Sequence, residues 1–262
     1  DRAELAALLA GGPISVYCGF DPTADSLHAG NLIGLLALRR LQLAGHRPIA
    51  LAGGATGMIG DPSGRSDERN LLDEETLAAN LAAIKEQIGR FLDFSPGPTQ
   101  ATLVDNRSWT GEIRLLDFLR DVGKYVTVNQ MMAKESVRSR LDSESGISYT
   151  EFTYMLLQAN DYLWLNEHEG CVLQFGGSDQ WGNIVAGVDL VRRADQGKAF
   201  ALVCPLITTA SGEKMGKTGT GVRVWLDPEM FSPYDYLQYW VNTDDALVGT
   251  YLKQFTFLPN EV

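Results

Sequence analysis

Two short segments carry residues suited to handling phosphate. The first, Tyr17-Cys-Gly-Phe-Asp-Pro-Thr-Ala-Asp-Ser-Leu-His28-Ala-Gly-Asn31, starts in an apolar run and breaks at Gly19. It then passes a Pro/Asp/Thr/Ser turn and ends in a His-x-Gly-x tetrad, after which Leu32, Ile33, Leu35, Leu36 and Leu38 take up helical spacing. A strand feeding a loop feeding a helix N-terminus aims backbone N–H groups and the helix dipole at anions. The second segment, Lys214-Met-Gly-Lys-Thr218, puts two cations and a hydroxyl between Ser211-Gly-Glu and Gly219-Thr-Gly, a setting suited to a loop that closes over a ligand. Neither a GxGxxG fingerprint nor a Walker motif occurs. A third set lies on one predicted helix, where Tyr154, Gln158 and Asp161 fall at i, i+4 and i+7 and so share a face. Taken alone, that stripe is either a wetted surface or the wall of a polar pocket.

The wording of these segments resembles a known family. His28-Ala-Gly-Asn31 is similar to the HIGH signature of class I aminoacyl-tRNA synthetases, and Lys214-Met-Gly-Lys-Thr218 to their KMSKS loop, in the order that class requires. The YCGFDPTADSLHxG context looks like that of bacterial-type tyrosyl-tRNA synthetases. So do Gly53-Gly-Ala-Thr-Gly-Met-Ile-Gly-Asp61-Pro-Ser-Gly and Gly176-Gly-Ser-Asp-Gln-Trp-Gly-Asn183. Together the matches span roughly residues 14–220.

The resemblance implies activation of L-tyrosine by ATP to tyrosyl-adenylate, with release of pyrophosphate, and then transfer of tyrosine to tRNA(Tyr). Attack by the substrate carboxylate on the α-phosphate needs no protein nucleophile, so the expected residues are donors, cations and glycines. By this resemblance Thr23 and His28 contact the phosphates, Gly30 lets the adenine approach, and Asn31 takes the place of the second His of HIGH. Lys214 and Lys217 close over the pyrophosphate and Thr218 hydrogen-bonds to it, with Gly216 standing where KMSKS has its first Ser. Arg65 and Arg69, which follow the Gly60-Asp-Pro-Ser-Gly turn, are either a second loop's reach to the phosphates or exposed arginines without a function. Gly19, Asp21, Gly177 and Asp179 complete the ATP surface, Asp179 at the ribose. Tyr154, Gln158 and Asp61 hold the substrate ammonium, Asp161 and Tyr17 bind the phenolic hydroxyl, and Gln180 reaches the carboxylate. ATP is expected with Mg2+ as a substrate complex, and a homodimer is implied.

Bulk properties restrict the alternatives. The 262 residues are 45% hydrophobic and 21% charged, ordinary for a globular chain with a full core. The net charge of −11 argues against general nucleic-acid binding, so a tRNA partner rests on the resemblance. Three widely spaced cysteines and three histidines make no metal pattern, so no structural metal is expected. Without an apolar run of membrane-spanning length or a signal peptide, the expected location is the cytoplasm.

Positioning these residues calls for an α/β fold. Apolar runs at 14–18, 48–52, 101–104 and 171–175 read as strands, and residues 32–44, 74–91 and 111–122 as amphipathic helices. The alternation predicts a Rossmann-like open parallel sheet with helices on both faces and ligands at the carboxyl ends of the strands. Glycine clusters at 19, 53–60 and 176–182 sit where such a sheet holds ligands. Residues 1–220 are expected to form the catalytic domain, and 221–262, with helices at 228–241 and 244–255, the truncated start of a helical region. Two other readings stay open: a tryptophanyl relative with the same fold, and a protein of synthetase fold that serves as a non-catalytic RNA-binding or scaffold module.

Overall fold

The computed structural model describes residues 2–63, 71–142, 146–194, 197–208, 215 and 221–259. Its sheet comprises β1 (Ser15–Phe20), β2 (Arg47–Ala52), β3 (Thr102–Asp105), β4 (Cys171–Gly177) and β5 (Phe200–Cys204). All pairings are parallel and the spatial order is β3-β2-β1-β4-β5. The chain winds outward from β1 in one direction and from β4 in the other, so a crevice forms where the two halves part. In register, Tyr17 sits between Ile49 of β2 and Gln174 of β4.

Strand periodicity assigns the two faces. Val16, Cys18 and Phe20 join a core with Leu35, Leu38, Ile84 and Ile88. Those last four come from α2 (Leu32–Leu43) and α4 (Glu74–Gly89), which follow the short α1 (Arg2–Ala10) and α3 (Thr56–Ile59). Tyr17 points to the other face, with Ile49, Leu51, Trp109, Tyr162 and Leu165. Trp109 lies on α5 (Arg107–Thr110), which leads through α6 (Leu115–Asp121), α7 (Val128–Met132) and α8 (Glu135–Leu141) to α9 (Tyr149–Glu169). Beyond β4, α10 (Trp181–Ala194) packs along α9 on that same face. The expected parallel sheet with helices on both faces is therefore what forms.

The long helix α9 is secured at its start. Ser148 accepts the N–H of Glu151 as an N-cap, and Glu151 forms a 3.0 Å ion pair with Arg140 of α8 that is almost closed to solvent. Breaking such a pair by removing one partner leaves a buried charge, so it fixes the first turn of α9. Tyr154 follows one turn later.

Several elements differ from the sequence reading. β5 and α10 were not foreseen: β5 is only half-buried along its length, and the Gly-rich stretch opening α10 reads as loop. The helix expected over 111–122 begins only at Leu115, after the short α5 and a turn. The one expected over 228–241 begins at Pro233, because Ser232 caps it and proline suits the first helical position. This α11 (Pro233–Val241) and α12 (Asp245–Phe255) form a pair joined by Trp240, Tyr251 and Phe255. Arg40 of α2 anchors α12, donating to the carbonyls of Lys253, Gln254 and Thr256 at 2.7–3.0 Å.

Candidate active site

The crevice between β1 and β4 gathers carboxylates and phenols. Asp161, buried on α9, accepts hydrogen bonds from Asn106 Nδ2 (2.9 Å) and Trp109 Nε1 (2.8 Å). Asn106 in turn accepts the N–H of Ala55 and donates to Thr56 Oγ1, which binds the loop after β2 to the segment after β3. Burial pushes Asp161 up to about 7, opposed by those two donors and reinforced by the negative charge of Asp21. Tyr17 lies close enough for Asp161 to help burial raise its phenol well above the ordinary range. The Tyr17 hydroxyl is buried and has no hydrogen-bond partner among the described residues; the same holds for Gln174 Oε1, its cross-strand neighbour. A buried polar atom left unpaired costs stability, so these two call for an explanation by a ligand group or water.

A second corner centres on Tyr154. Its hydroxyl donates to Asp21 Oδ2 at 2.8 Å, while Thr56 Oγ1 donates to Asp21 Oδ1 at 2.7 Å. Burial raises the Tyr154 phenol, and Asp21, Asp61 and Asp161 all add to the shift. Three carboxylates thus surround one phenol. Neither Asp61 nor Asp161 has a basic side chain within 4 Å among the described residues. Such a corner attracts a small cation. Asp61 itself accepts from Gln180 Nε2 at 2.6 Å and caps the turn at Ser63.

The tetrad at the start of α2 is shaped by a reciprocal cap. His28 Nδ1 accepts the Gly30 N–H at 3.1 Å, and Asn31 Oδ1 accepts the His28 N–H at 3.0 Å. A hydrogen bond accepted at Nδ1 requires the neutral tautomer protonated at Nε2. Asn31 therefore has a local structural task that explains an amide there. Gly30 is needed for a similar reason, since a Cβ would meet the His28 ring at 2.9–3.0 Å. Ala29 N–H donates to Val224 O and Leu226 N–H to Leu27 O, so the chain beyond the lysine loop is stitched to the tetrad. Within that loop Met215 is described: it is buried, it donates to Ile207 O, and its own carbonyl oxygen approaches Gly30.

The structure thus brings Tyr17, Asp21, Asp61, Tyr154, Asp161 and Gln180 into one crevice, with His28, Gly30 and Asn31 at the start of α2. Asp21, expected on the ATP surface, is engaged with Tyr154 and Thr56. Gly19 and Thr23 are exposed near the end of β1, Gln158 is half-buried on α9, Gly177 closes β4 and Asp179 follows it. Lys214, Lys217 and Thr218, and also Arg65 and Arg69, lie outside the described residues. Sequence reading missed Thr56, Asn106, Trp109, Gln174 and Asn183. Asn106 had a signal, two residues beyond the strand predicted at 101–104; Thr56 and Asn183 lay in the quoted Gly-rich segments without a role, Trp109 fell between predicted elements, and Gln174 read as an ordinary strand position. Among the described residues, no three His, Cys, Asp or Glu side chains are grouped to hold a metal.

Comparison with known proteins decides the family. The model of the tRNA synthetases class I (W and Y) matches residues 9–262. The chain belongs to this family. A tyrosine–tRNA ligase of Opitutus terrae is 59% identical over 261 residues, 100% of this chain and 61% of its own length. One from Roseiflexus castenholzii is 60% identical over 245 residues, 94% of this chain and 58% of its length. A C-terminally truncated mitochondrial tyrosyl-tRNA synthetase of Aspergillus nidulans superposes with a TM-score of 0.86 at 32% identity, covering 99% of this chain and 76% of that one. This family member therefore spans about three-fifths of the length of the curated relatives it matches.

Proposed function

We propose that this chain activates L-tyrosine with ATP, forming tyrosyl-adenylate and pyrophosphate, and that the protein it represents transfers the tyrosine to tRNA(Tyr). The unpaired, buried Tyr17 hydroxyl beside Asp161 carries the choice of amino acid. A phenolic O–H donates to the Asp161 carboxylate and accepts from Tyr17, so one ligand group pairs both. Phenylalanine leaves the Tyr17 hydroxyl dry and unpaired, which costs about 1–3 kcal/mol, and leaves Asp161 with only its Asn106 and Trp109 donors. Tryptophan offers a donor to Asp161 and nothing to Tyr17.

The ammonium of the substrate fits the Asp61–Tyr154–Asp21 corner, with Gln158 as a further ligand, and Gln180 faces its carboxylate. That carboxylate attacks the α-phosphate: a carboxyl oxygen–phosphorus bond forms, and the bond to the bridging oxygen of pyrophosphate breaks. His28 Nε2–H, Thr23 and the backbone at Gly30 and Asn31 serve the phosphates, with Gly19, Gly177 and Asp179 on the nucleoside side. Lys214, Lys217 and Thr218 stabilise the leaving pyrophosphate, where charge accumulates. Mg2+ enters on the ATP phosphates, its usual carrier.

We assign residues 1–220 to catalysis and 221–262 to the start of a helical region. We also assign the protein to the cytoplasm and to a homodimer. Exposed Leu115, Leu116, Val128, Met132 and Tyr149 give the dimer an apolar surface to bury. No helix among the described residues is long and apolar enough to cross a membrane. The test is ATP–pyrophosphate exchange with tyrosine, phenylalanine and tryptophan in parallel. Exchange with tyrosine alone is expected. Exchange driven by tryptophan overturns the pocket, and none with any of the three, in a folded chain, favours a non-catalytic module.

A further inference from the structure

Behind the Asp61 corner runs a chain of side chains whose hydrogen bonds all point one way. Lys134, the residue preceding α8, extends across the first turn of α10 and donates from Nζ to Asn183 Oδ1. Its stem crosses so closely that a Cβ at Gly182 would meet Lys134 carbons at 2.9–3.2 Å. Asn183 is fully buried, and its Nδ2 lies 3.0 Å from Gln180 Oε1, 3.4 Å from Asp61 Oδ1 and 3.5 Å from Ser63 Oγ. Gln180 Nε2 closes the run on Asp61 Oδ2 at 2.6 Å.

The polarity of this run follows from its ends, whatever positions N and O are given in the two amides. A lysine ammonium has three donors and no acceptor, whereas a carboxylate only accepts. Asn183 must therefore turn its oxygen to Lys134 and its NH2 to Gln180 and Asp61. Gln180 must then turn its oxygen to Asn183 and its NH2 forward. One N–H of that amide goes to Asp61, and no described residue takes the other. If Asp61 were the sole anchor, a ligand ammonium arriving there would compete for it and loosen Gln180. The cation at the far end keeps both amides in place while Asp61 is engaged.

We propose that Lys134 is a positioning residue of the amino-acid site: acting through Asn183, it holds the Gln180 amide with N–H, not carbonyl oxygen, toward the ligand carboxylate. This rests on the reading of the crevice as an amino-acid site. The side chain also lines a groove of about 880 Å3 that opens beside the crevice, bounded by Tyr125, Arg140, Met155, Trp181 and Arg193. Burial pushes Lys134 down to about 8, with the Asp61 carboxylate opposing, so the ammonium form still dominates at neutral pH.

The experiment is calorimetric titration of the 262-residue chain with tyrosine and with tyramine, which keeps the phenol and ammonium but lacks the carboxylate. Lys134→Met and Lys134→Gln should each weaken tyrosine about 10-fold or more, the size of a lost charge-assisted hydrogen bond. Tyramine should change less than about 3-fold, and Lys134→Arg, which keeps a donor-only cation, should stay within about 3-fold for both ligands. The glutamine variant replaces the methionine one if the latter does not fold. Equal weakening of tyrosine and tyramine, or unchanged tyrosine affinity, overturns the proposal, as does an arginine variant as weak as the methionine one. Failure of the wild-type chain to bind tyrosine would instead overturn the reading of the site.

Discussion

Under the proposed function, the amino-acid half and the nucleotide half of the crevice are built differently. The first is made of buried side chains on β1, α9 and the loops after β2 and β3. Asp161, Trp109, Asn106 and Thr56 there are joined by hydrogen bonds of 2.8–3.0 Å. The second is made of turns, exposed Gly19 and Thr23, a capped tetrad and backbone groups at the start of a helix. The contrast matches the two tasks. Telling one amino acid from another needs buried groups that are costly to leave unpaired. Holding a polyphosphate needs donors and cations that any ATP satisfies.

Breaking the rigid half should have the larger effect. Asp161→Asn keeps the shape of the side chain but sets an amide against the Asn106 and Trp109 donors. It should lower kcat/KM for tyrosine in pyrophosphate exchange by about 100-fold or more, while barely altering the rate with phenylalanine. A variant that kept its tyrosine selectivity would remove the main reason for naming that amino acid. Lys217→Ala addresses the other half. It should slow adenylate formation by about 10- to 100-fold with little change in tyrosine affinity, and a pure affinity defect would contradict its role.

Acid sharpens the comparison because it reaches the two halves differently. Asp161, held near 7, protonates as pH falls through that value and stops accepting a phenolic proton. The KM for tyrosine should therefore rise by up to about 10-fold per unit below pH 7, while the KM for ATP moves less. Stability should respond in the opposite sense. The folded chain binds this proton more tightly than the unfolded chain does, so the contribution of Asp161 to stability is fully present below about pH 4 and lost as pH rises through about 7. Denaturant titrations at several pH values, compared with those of the Asp161→Asn variant, would isolate that slope.

Smaller changes separate function from stability. Tyr17→Phe removes a hydroxyl that has no partner among the described residues. Tyrosine should bind about 3- to 10-fold more weakly, while the empty chain should be unchanged or up to about 1 kcal/mol more stable. A clear loss of stability would mean the hydroxyl is already paired in the empty chain. Least of all, Asn31→Ala opens the reciprocal cap with His28, costing about 1 kcal/mol in thermal unfolding.

How much of this was legible in the sequence also divides along the two halves. The phosphate-side segments are contiguous, so His28-Ala-Gly-Asn31 and Lys214-Met-Gly-Lys-Thr218 could each be matched to a family signature directly. Four of the strands could be read because they are short apolar runs, and so could the α9 stripe, because helical period puts Tyr154 and Asp161 on one face. The supports of the amino-acid half come from separate parts of the chain. Asn106 and Trp109 reach Asp161 across more than 50 residues, and Asn183 reaches Asp61 across 122. Only the strand order brings such pairs together. Lys134 looked like any surface lysine until the missing side chain of Gly182 showed where its stem runs. The edge strand β5 escaped for a plainer reason: half-buried on both faces, it has neither alternation nor a flanking turn signal strong enough to mark it.

The most direct test of a pre-formed, phenol-selective pocket is equilibrium binding of tyrosine and phenylalanine to the chain without ATP. Tyrosine should bind measurably and phenylalanine about 100-fold or more weakly, because the discriminating groups are already in place. Equal affinities, or no tyrosine binding until ATP is added, would contradict the account.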